Sequence, residues 1–443
     1  AQWMLHGDSE INMTGFDPRR FGSYADDNYM SEKGFQDYNR TYFTPLPGEE
    51  LPAGRPSRTS PLYEKLKAQG CMYTETFGWE RPKWFSPDGR DEDYSFRRNN
   101  VFELVRQECL TVRDRVGLLD LSGFAKYDVT GPDAHACLDR LCANRIPKQD
   151  GGITLTHVLS GNGRIGAETT ITRLADDRYY VLSAAGAELR DFDYLNQGRH
   201  AGERVDVANV TDERGVLVLA GPHARNVLQK LTGADLGNES FRWLRGKEID
   251  VSGMPVRALR VNYVGELGWE LHPEMQHLEA LYDALMTAGE EFGIGNFGLY
   301  AVNSLRIEKA YRGWGAELTN EVTMLDADMA RFIKLDKPAF IGKDATLRQQ
   351  NGERTLQLVY FDVDAVDADV RGGEPMFIGG ECVGITTSGG YGHRVDKSLG
   401  FGYVHPDLSA AGTAIDIDLV GNRCRATLLA EPAYDPANAR LRA

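Results

Sequence analysis

The 443-residue chain is 42% hydrophobic and 10% aromatic, enough for packed cores in two to four domains, which excludes wholesale disorder. Its net charge of −15 repels phosphate backbones and anionic lipid, and no basic run offsets it, so neither nucleic-acid nor membrane binding is expected. No apolar run approaches the roughly 18–20 residues of a membrane helix, and the six scattered cysteines lack the spacing of a disulfide framework, which points to a reducing compartment.

Residues 1–100 mix Gly, Pro, Arg and aromatics with little sustained periodicity, as in Phe16-Asp17-Pro18-Arg19-Arg20-Phe21-Gly22 and Trp79-Glu80-Arg81-Pro82-Lys83-Trp84-Phe85. Such a segment does not readily build its own core. Its aromatics are too many for a free linker, so it reads as an extended arm lying against another surface. The chain opens at Ala1 rather than a methionine, as expected of a product cut from a longer precursor.

From Val101 the pattern becomes globular. Residues 126–130 read as a strand, followed by Gly131-Pro132 and a helix over 133–142 with Ala134, Cys137, Leu138 and Leu141 on one face. The same order recurs at 216–220, Gly221-Pro222 and a helix from His223 carrying Val227, Leu228 and Leu231. This suggests two related α+β units. Between them, 154–159, 168–174 and 179–183 read as strands, the first two joined by Gly161-Asn162-Gly163-Arg164. Helices are expected over 275–292 and 299–310. Past Gly352, short strands at 356–363, 382–387, 400–404, 414–419 and 424–429 predict a small all-β domain. The division is 1–100, 101–350 and 351–443.

Gly161-Asn162-Gly163-Arg164-Ile165-Gly166 matches the dinucleotide-binding pattern letter by letter. That motif requires a helix N-terminus after its glycines, and the β-branched run Thr169-Thr170-Ile171-Thr172 makes a hairpin turn the better reading. Glu168, placed by that reading at the first strand position, is either a surface acid or a carboxylate held rigidly toward a cleft. Asn262-Tyr263-Val264-Gly265-Glu266-Leu267-Gly268-Trp269-Glu270 combines glycines that admit a flat ligand, aromatics that stack and acids able to accept parallel N–H bonds. An ordinary turn with two solvated acids fits equally well. Asn303-Ser304-Leu305-Arg306-Ile307-Glu308-Lys309 is an exposed helix face or a charged cluster tying a helix to that loop. The dispersed histidines carry no metal-site spacing, so no metal is expected.

Taken in order, Trp3-Met4-Leu5-His6-Gly7, Asp17-Pro18-Arg19-Arg20-Phe21-Gly22, Ala53-Gly54-Arg55-Pro56, Ser95-Phe96-Arg97-Arg98, Gly117-Leu118-Leu119-Asp120-Leu121-Ser122, Leu141-Cys142-Ala143-Asn144 and the Tyr263 and Arg306 segments resemble the folate-dependent half of dimethylglycine and sarcosine dehydrogenases. That half is itself similar to the aminomethyltransferase of the glycine-cleavage system. The resemblance implies an α+β, three-lobed fold with two ferredoxin-like lobes and a C-terminal β-barrel around a folate cavity. It further implies tetrahydrofolate as cofactor, a flavin-containing oxidoreductase partner domain or subunit holding FAD, and capture of an iminium from a small N-methylated amine as 5,10-methylenetetrahydrofolate. It places the family's catalytic acid, usually aspartate, on Glu168, folate contact on Tyr263 and pterin N–H recognition on Glu270, with Thr170 as neighbour. A basic contact cannot be carried onto Val302, which leaves Arg306 as the substitute. The compartment implied is cytoplasm in a bacterium or the mitochondrial matrix in a eukaryote. The rivals are a folate-dependent O- or S-demethylase and a non-catalytic scaffold for a flavoprotein.

Overall fold

The structure is a computed structural model that describes residues 4–5, 9 and 11–443; Trp3, His6 and Gly7 of the first motif lie outside the described residues. The segment read as an extended arm carries regular structure. Asp27–Asn39 forms a helix (α1), capped by the Asp26 side chain, which accepts from Tyr29 N. Its only buried residue is Tyr29, so no apolar stripe announced it. A second helix, Tyr63–Ala68 (α2), leads into an antiparallel hairpin of Cys71–Thr76 (β1) and Trp79–Phe85 (β2). The charged residues that disguised β2 are buried in pairs: Arg55 Nη2 lies 2.6 Å from Glu80, and Lys83 Nζ lies 2.8 Å from Glu92.

Helix α3 (Phe102–Asp114) precedes strand β3 (Val116–Asp120). The chain then builds its first lobe from β4 (Ala125–Thr130), helix α4 (Ala134–Leu141), β5 (Ile153–Leu159), β6 (Ile165–Ala175), β7 (Arg178–Ser183), helix α5 (Glu188–Gln197) and β8 (Asp206–Asn209). Its five-stranded antiparallel sheet has the order β5-β6-β7-β4-β8. The predicted apolar face of α4 is buried to 2% exposure or less; at such a position Leu138→Ala is expected to cost ~2–5 kcal/mol.

The second lobe contains β9 (Leu217–Ala220), helix α6 (Ala224–Gln229), β10 (Gly246–Val251), β11 (Met254–Leu259), β12 (Gly268–Pro273), helix α7 (Leu278–Gly289) and β13 (Ile294–Asn296). Its sheet runs β10-β11-β12-β9-β3-β13, so β3, which precedes the first lobe in sequence, completes the sheet of the second. The repeated Gly-Pro junction has a shared physical cause. Gly131 and Gly221 have φ of +119° and +137°, and a Cβ would fall 2.1 Å from Arg204 O in the first and 2.5 Å from Arg115 O in the second.

Helix α8 (Leu299–Glu308) packs against α3, β2 and the barrel. It stops two residues before the expected end because Ala310 adopts φ +52°. After helix α9 (Lys343–Gln350), β14 (Gln357–Val363), β15 (Pro375–Ile378), β16 (Glu381–Gly392), β17 (Lys397–Val404), β18 (Ala414–Leu419) and β19 (Asn422–Leu428) close a six-stranded barrel. Strand β15 was not predicted, and β16 is twice the expected length. The two sheets meet through Ile153, Tyr180 and Leu182 of one lobe and Leu259 of the other.

Candidate functional site

The glycine pattern at residues 161–166 is a hairpin turn, with Ser160 N donating to Arg164 O and Gly163 N to Ser160 O. The strand begins at Ile165, three residues earlier than expected, so Glu168 sits inside β6 instead of at its start. It lies opposite His157 of β5. The His157 Nε2 is 3.0 Å from Glu168 Oε2, with the histidine side chain fully buried and the glutamate 23% exposed. His157 Nδ1 has no partner. Glu168 is therefore a half-buried acid oriented by a buried imidazole, and Thr170 lies two residues along the same face.

Tyr263 occupies the turn between β11 and β12. Asn262 builds that turn, its Oδ1 accepting from Val264 N and Gly265 N at 3.1 and 3.0 Å and its Nδ2 donating to Glu266 O at 2.8 Å. Gly265 has φ +79° and lies against the Lys309 side chain, where a Cβ would approach within 2.4 Å. The Tyr263 hydroxyl donates to Arg312 O at 2.5 Å, and its ring stacks on Tyr311 with centroids 5.8 Å apart. The ring is 37% exposed. Burial nevertheless pushes the hydroxyl pKa well up, with further influence from Arg306, Glu168, Glu317 and Arg312. Those charges come from β6 of the first lobe, from α8 and from the segment that follows it.

Within Asn262–Glu270 the two acids differ. Glu266 is no solvated acid: it is 1% exposed, 3.1 Å from Arg113 Nη1, and accepts from the Tyr434 hydroxyl at 2.7 Å. Among the described residues, Glu270 on β12 pairs with no cation. Its side chain is 12% exposed and, among those residues, meets His272 Nε2 alone, at 3.4 Å. Burial alone pushes its carboxyl up to about 8, because nothing offsets the loss of hydration. Trp269 is fully buried in the second-lobe core, so only Tyr263 of the two aromatics faces the site.

Arg306, the substitute expected for the tail contact, is already hydrogen-bonded within the protein. All its guanidinium nitrogens are engaged: Nε and Nη2 donate to Asn303 Oδ1, Nη1 to Tyr311 O and Glu317, and Nη2 also to Ser388 Oγ. It ties α8 to the barrel and is a positioning residue. Glu317, missed from sequence, is fully buried and accepts at 2.6 Å from both Thr387 and Ser388. Arg312, also missed, retains a buried Nε–H without a partner; its other nitrogens donate to Ala310 O and Asp328.

Glu168 and Arg306 thus both act electrostatically on Tyr263, while Glu270 heads a separate cluster with His272 and Tyr180. A cavity of about 770 Å³ lies elsewhere. It opens between the first lobe and residues 12–19 and is lined by Asp17, Arg19, Arg190, Tyr194 and Trp314, with none of the predicted site residues.

Comparison with known proteins bears on the family and the fold. The GCVT N-terminal domain matches residues 62–337 and the glycine cleavage T-protein C-terminal barrel domain matches residues 357–435. The FAD dependent oxidoreductase central domain matches residues 6–60. The mitochondrial dimethylglycine dehydrogenase of Mus musculus is 41% identical over 100% of this chain and 51% of its own length. The human mitochondrial sarcosine dehydrogenase is 30% identical over 100% of this chain and 54% of its own length, so the chain spans about half of each. The crystal structure of the glycine cleavage system aminomethyltransferase T from Bartonella henselae superposes with a TM-score of 0.75 at 25% identity, covering 86% of this chain and 98% of that one. The chain belongs to the glycine cleavage T-protein (GCVT) family, which joins two α+β lobes to a C-terminal barrel.

Proposed function

We propose that this chain is a tetrahydrofolate-dependent one-carbon-transfer unit, which captures the iminium or formaldehyde product of flavin-dependent N-demethylation, of dimethylglycine or sarcosine type, as 5,10-methylenetetrahydrofolate. The observation that carries the reading is Glu270. A nearly buried carboxylate without a cation is expensive unless a ligand supplies its donors. The parallel amino and ring N–H groups of a pterin match its two oxygens, so the residues present fit the cofactor.

Glu270 would hold the pterin edge, Tyr263 would offer a ring face, and Thr170 would border the reacting end. The unpartnered Nε–H of Arg312 would meet the acidic tail, the part first expected of Arg306. Tetrahydrofolate, when bound, supplies the nucleophilic nitrogens. Glu168 manages the proton: a carboxylate fixed by His157 accepts it from the reacting amine and stabilises positive charge beside it. Its bond to the fully buried His157 of the neighbouring strand keeps the acid aligned.

A flavin-containing oxidoreductase domain or subunit is the expected partner. The match of residues 6–60 to an oxidoreductase domain supports this, as do Phe16, Phe35, Tyr38, Tyr42 and Phe43, each more than half exposed on the same segment. The test is competition between tetrahydrofolate and its fragments. A pterin alone should displace tetrahydrofolate in wild type and lose that ability in Glu270→Ala, whereas p-aminobenzoylglutamate should be sensitive to Arg312→Met. Indifference of both fragments to both substitutions would sink the assignment.

A further inference from the structure

Glu270 is held by a chain that crosses between the lobes. His272, two residues along β12, is fully buried. Its Nδ1 lies 3.1 Å from the hydroxyl of Tyr180 on β7, and its Nε2 lies 3.4 Å from Glu270 Oε2. Tyr180 is likewise fully buried.

The direction of these bonds follows from counting donors and acceptors. Lys126 and Asp128 face this cluster from β4, Tyr180 from β7, Arg214 from the segment before β9, and Arg257 from β11. Burial and the charges of Lys126, Arg257 and Arg214 push the His272 pKa well down, so the ring carries one proton. Among the described residues the Tyr180 hydroxyl makes no hydrogen bond other than that to His272, and the Arg257 guanidinium covers its ring face at 4.2 Å. With Glu270 ionised, above about pH 8, a proton on Nδ1 would leave the buried Tyr180 O–H without its His272 acceptor and the carboxylate facing a bare nitrogen, at a cost of about 1–3 kcal/mol. The hydroxyl therefore donates to Nδ1, and the imidazole proton resides on Nε2, facing Glu270.

We propose that Tyr180 and His272 are positioning residues that keep Glu270 an acceptor, and so select at this edge a heterocycle presenting two parallel N–H donors over one presenting a lone pair. The proposal rests on the folate reading for the identity of the ligand, but the tautomer stands independently of it. One Glu270 oxygen receives the His272 N–H, leaving the remaining lone pairs for the ligand. Without the Tyr180 hydroxyl the ring is free to place its proton on Nδ1. Its bare Nε2 would then favour the protonated acid, which offers a donor where the ligand also offers donors.

The experiment combines two measurements on the whole chain. Histidine-selective ¹⁵N labelling at pH 9, where Glu270 is ionised, with His272→Gln identifying the signal, should give a bare Nδ1 and a protonated Nε2 in wild type; a protonated Nδ1 overturns the proposal whether or not folate binds. Titration with tetrahydrofolate across pH 6–9 should then show Tyr180→Phe binding about tenfold more weakly near neutrality, the deficit shrinking above pH 8 where Glu270 ionises in both proteins. An unchanged profile, or an equal loss at every pH, overturns the relay while leaving the folate reading intact. Absence of tetrahydrofolate binding by wild type would overturn the folate reading and the selectivity claim with it.

Discussion

The Arg113 guanidinium lies 2.8 Å from the Glu308 carboxylate, with neither side chain exposed to solvent. The same arginine reaches Glu266 at 3.1 Å and Val264 O at 2.7 Å, so one buried cation joins α3, α8 and the turn that carries Tyr263. Removing it strands two buried carboxylates. Arg113→Met is expected to destabilise the fold by ~3–5 kcal/mol, read as a lower urea midpoint, and to loosen the Tyr263 turn.

Tyr434 closes this network from the C-terminal segment. Its hydroxyl donates to Glu266 at 2.7 Å while its ring lies 4.1 Å from the Arg113 guanidinium. Tyr434→Phe keeps the ring and loses one bond to a charged acceptor, and so should cost ~1.5–3 kcal/mol in the same unfolding experiment. A variant as stable as wild type would show that Glu266 finds its second partner elsewhere.

Glu270 gives the fold a pH dependence of definite sign. Its folded pKa is raised from 4.5 to about 8, so between those values the unfolded chain releases a proton that the folded chain retains. Stability therefore falls as pH rises from 4.5 to 8 and is level beyond. Glu270→Gln should remove this slope and become more stable than wild type by ~1 kcal/mol or more at pH 8. Parallel unfolding curves at pH 5 and 8 would contradict the assignment.

The exposed aromatic face of α1 and the residues after it predicts a separation of effects. Phe35→Asp and Tyr42→Asp remove no buried contact, since these side chains are 72% and 99% exposed. Each should change stability by less than ~0.5 kcal/mol and leave tetrahydrofolate binding unaltered. Each should also weaken association with a flavin-containing partner, measured by co-sedimentation.

Much of this fold was legible in the chain. The paired Gly-Pro junctions marked both α+β lobes, because only glycine tolerates the positive φ and close carbonyl approach found there. The β-branched run after Gly166 identified a hairpin where a motif search would place a nucleotide. What escaped was structure stabilised by charge instead of apolar periodicity: β2, whose Glu80 and Lys83 are buried in ion pairs, and α1, with a single buried residue. The placement of β3 in the second lobe also escaped, since strand order across a crossover leaves no local signal. In the site, Glu168, Tyr263 and Glu270 could be named because they sit on recognisable segments. Helical spacing did not reveal that the five N–H donors of Arg306 are already engaged. His157, His272, Glu317 and Arg312 were missed, since their partners are distant in sequence or absent.

Division of labour between the two acids gives a kinetic prediction. Glu168→Gln preserves shape and one hydrogen bond to His157 but loses the charge that accepts a proton. Its tetrahydrofolate affinity should stay within about threefold of wild type while the transfer rate falls ~10²–10⁴-fold. Equal losses of affinity and rate would place Glu168 in binding instead.

The most direct measurement is calorimetric titration of this chain with tetrahydrofolate, beside Glu270→Ala. Binding with a dissociation constant on the order of micromolar, about −8 kcal/mol, that disappears in the variant is the predicted result. Equal binding by both proteins, or none by wild type, would contradict a folate site built on Glu270.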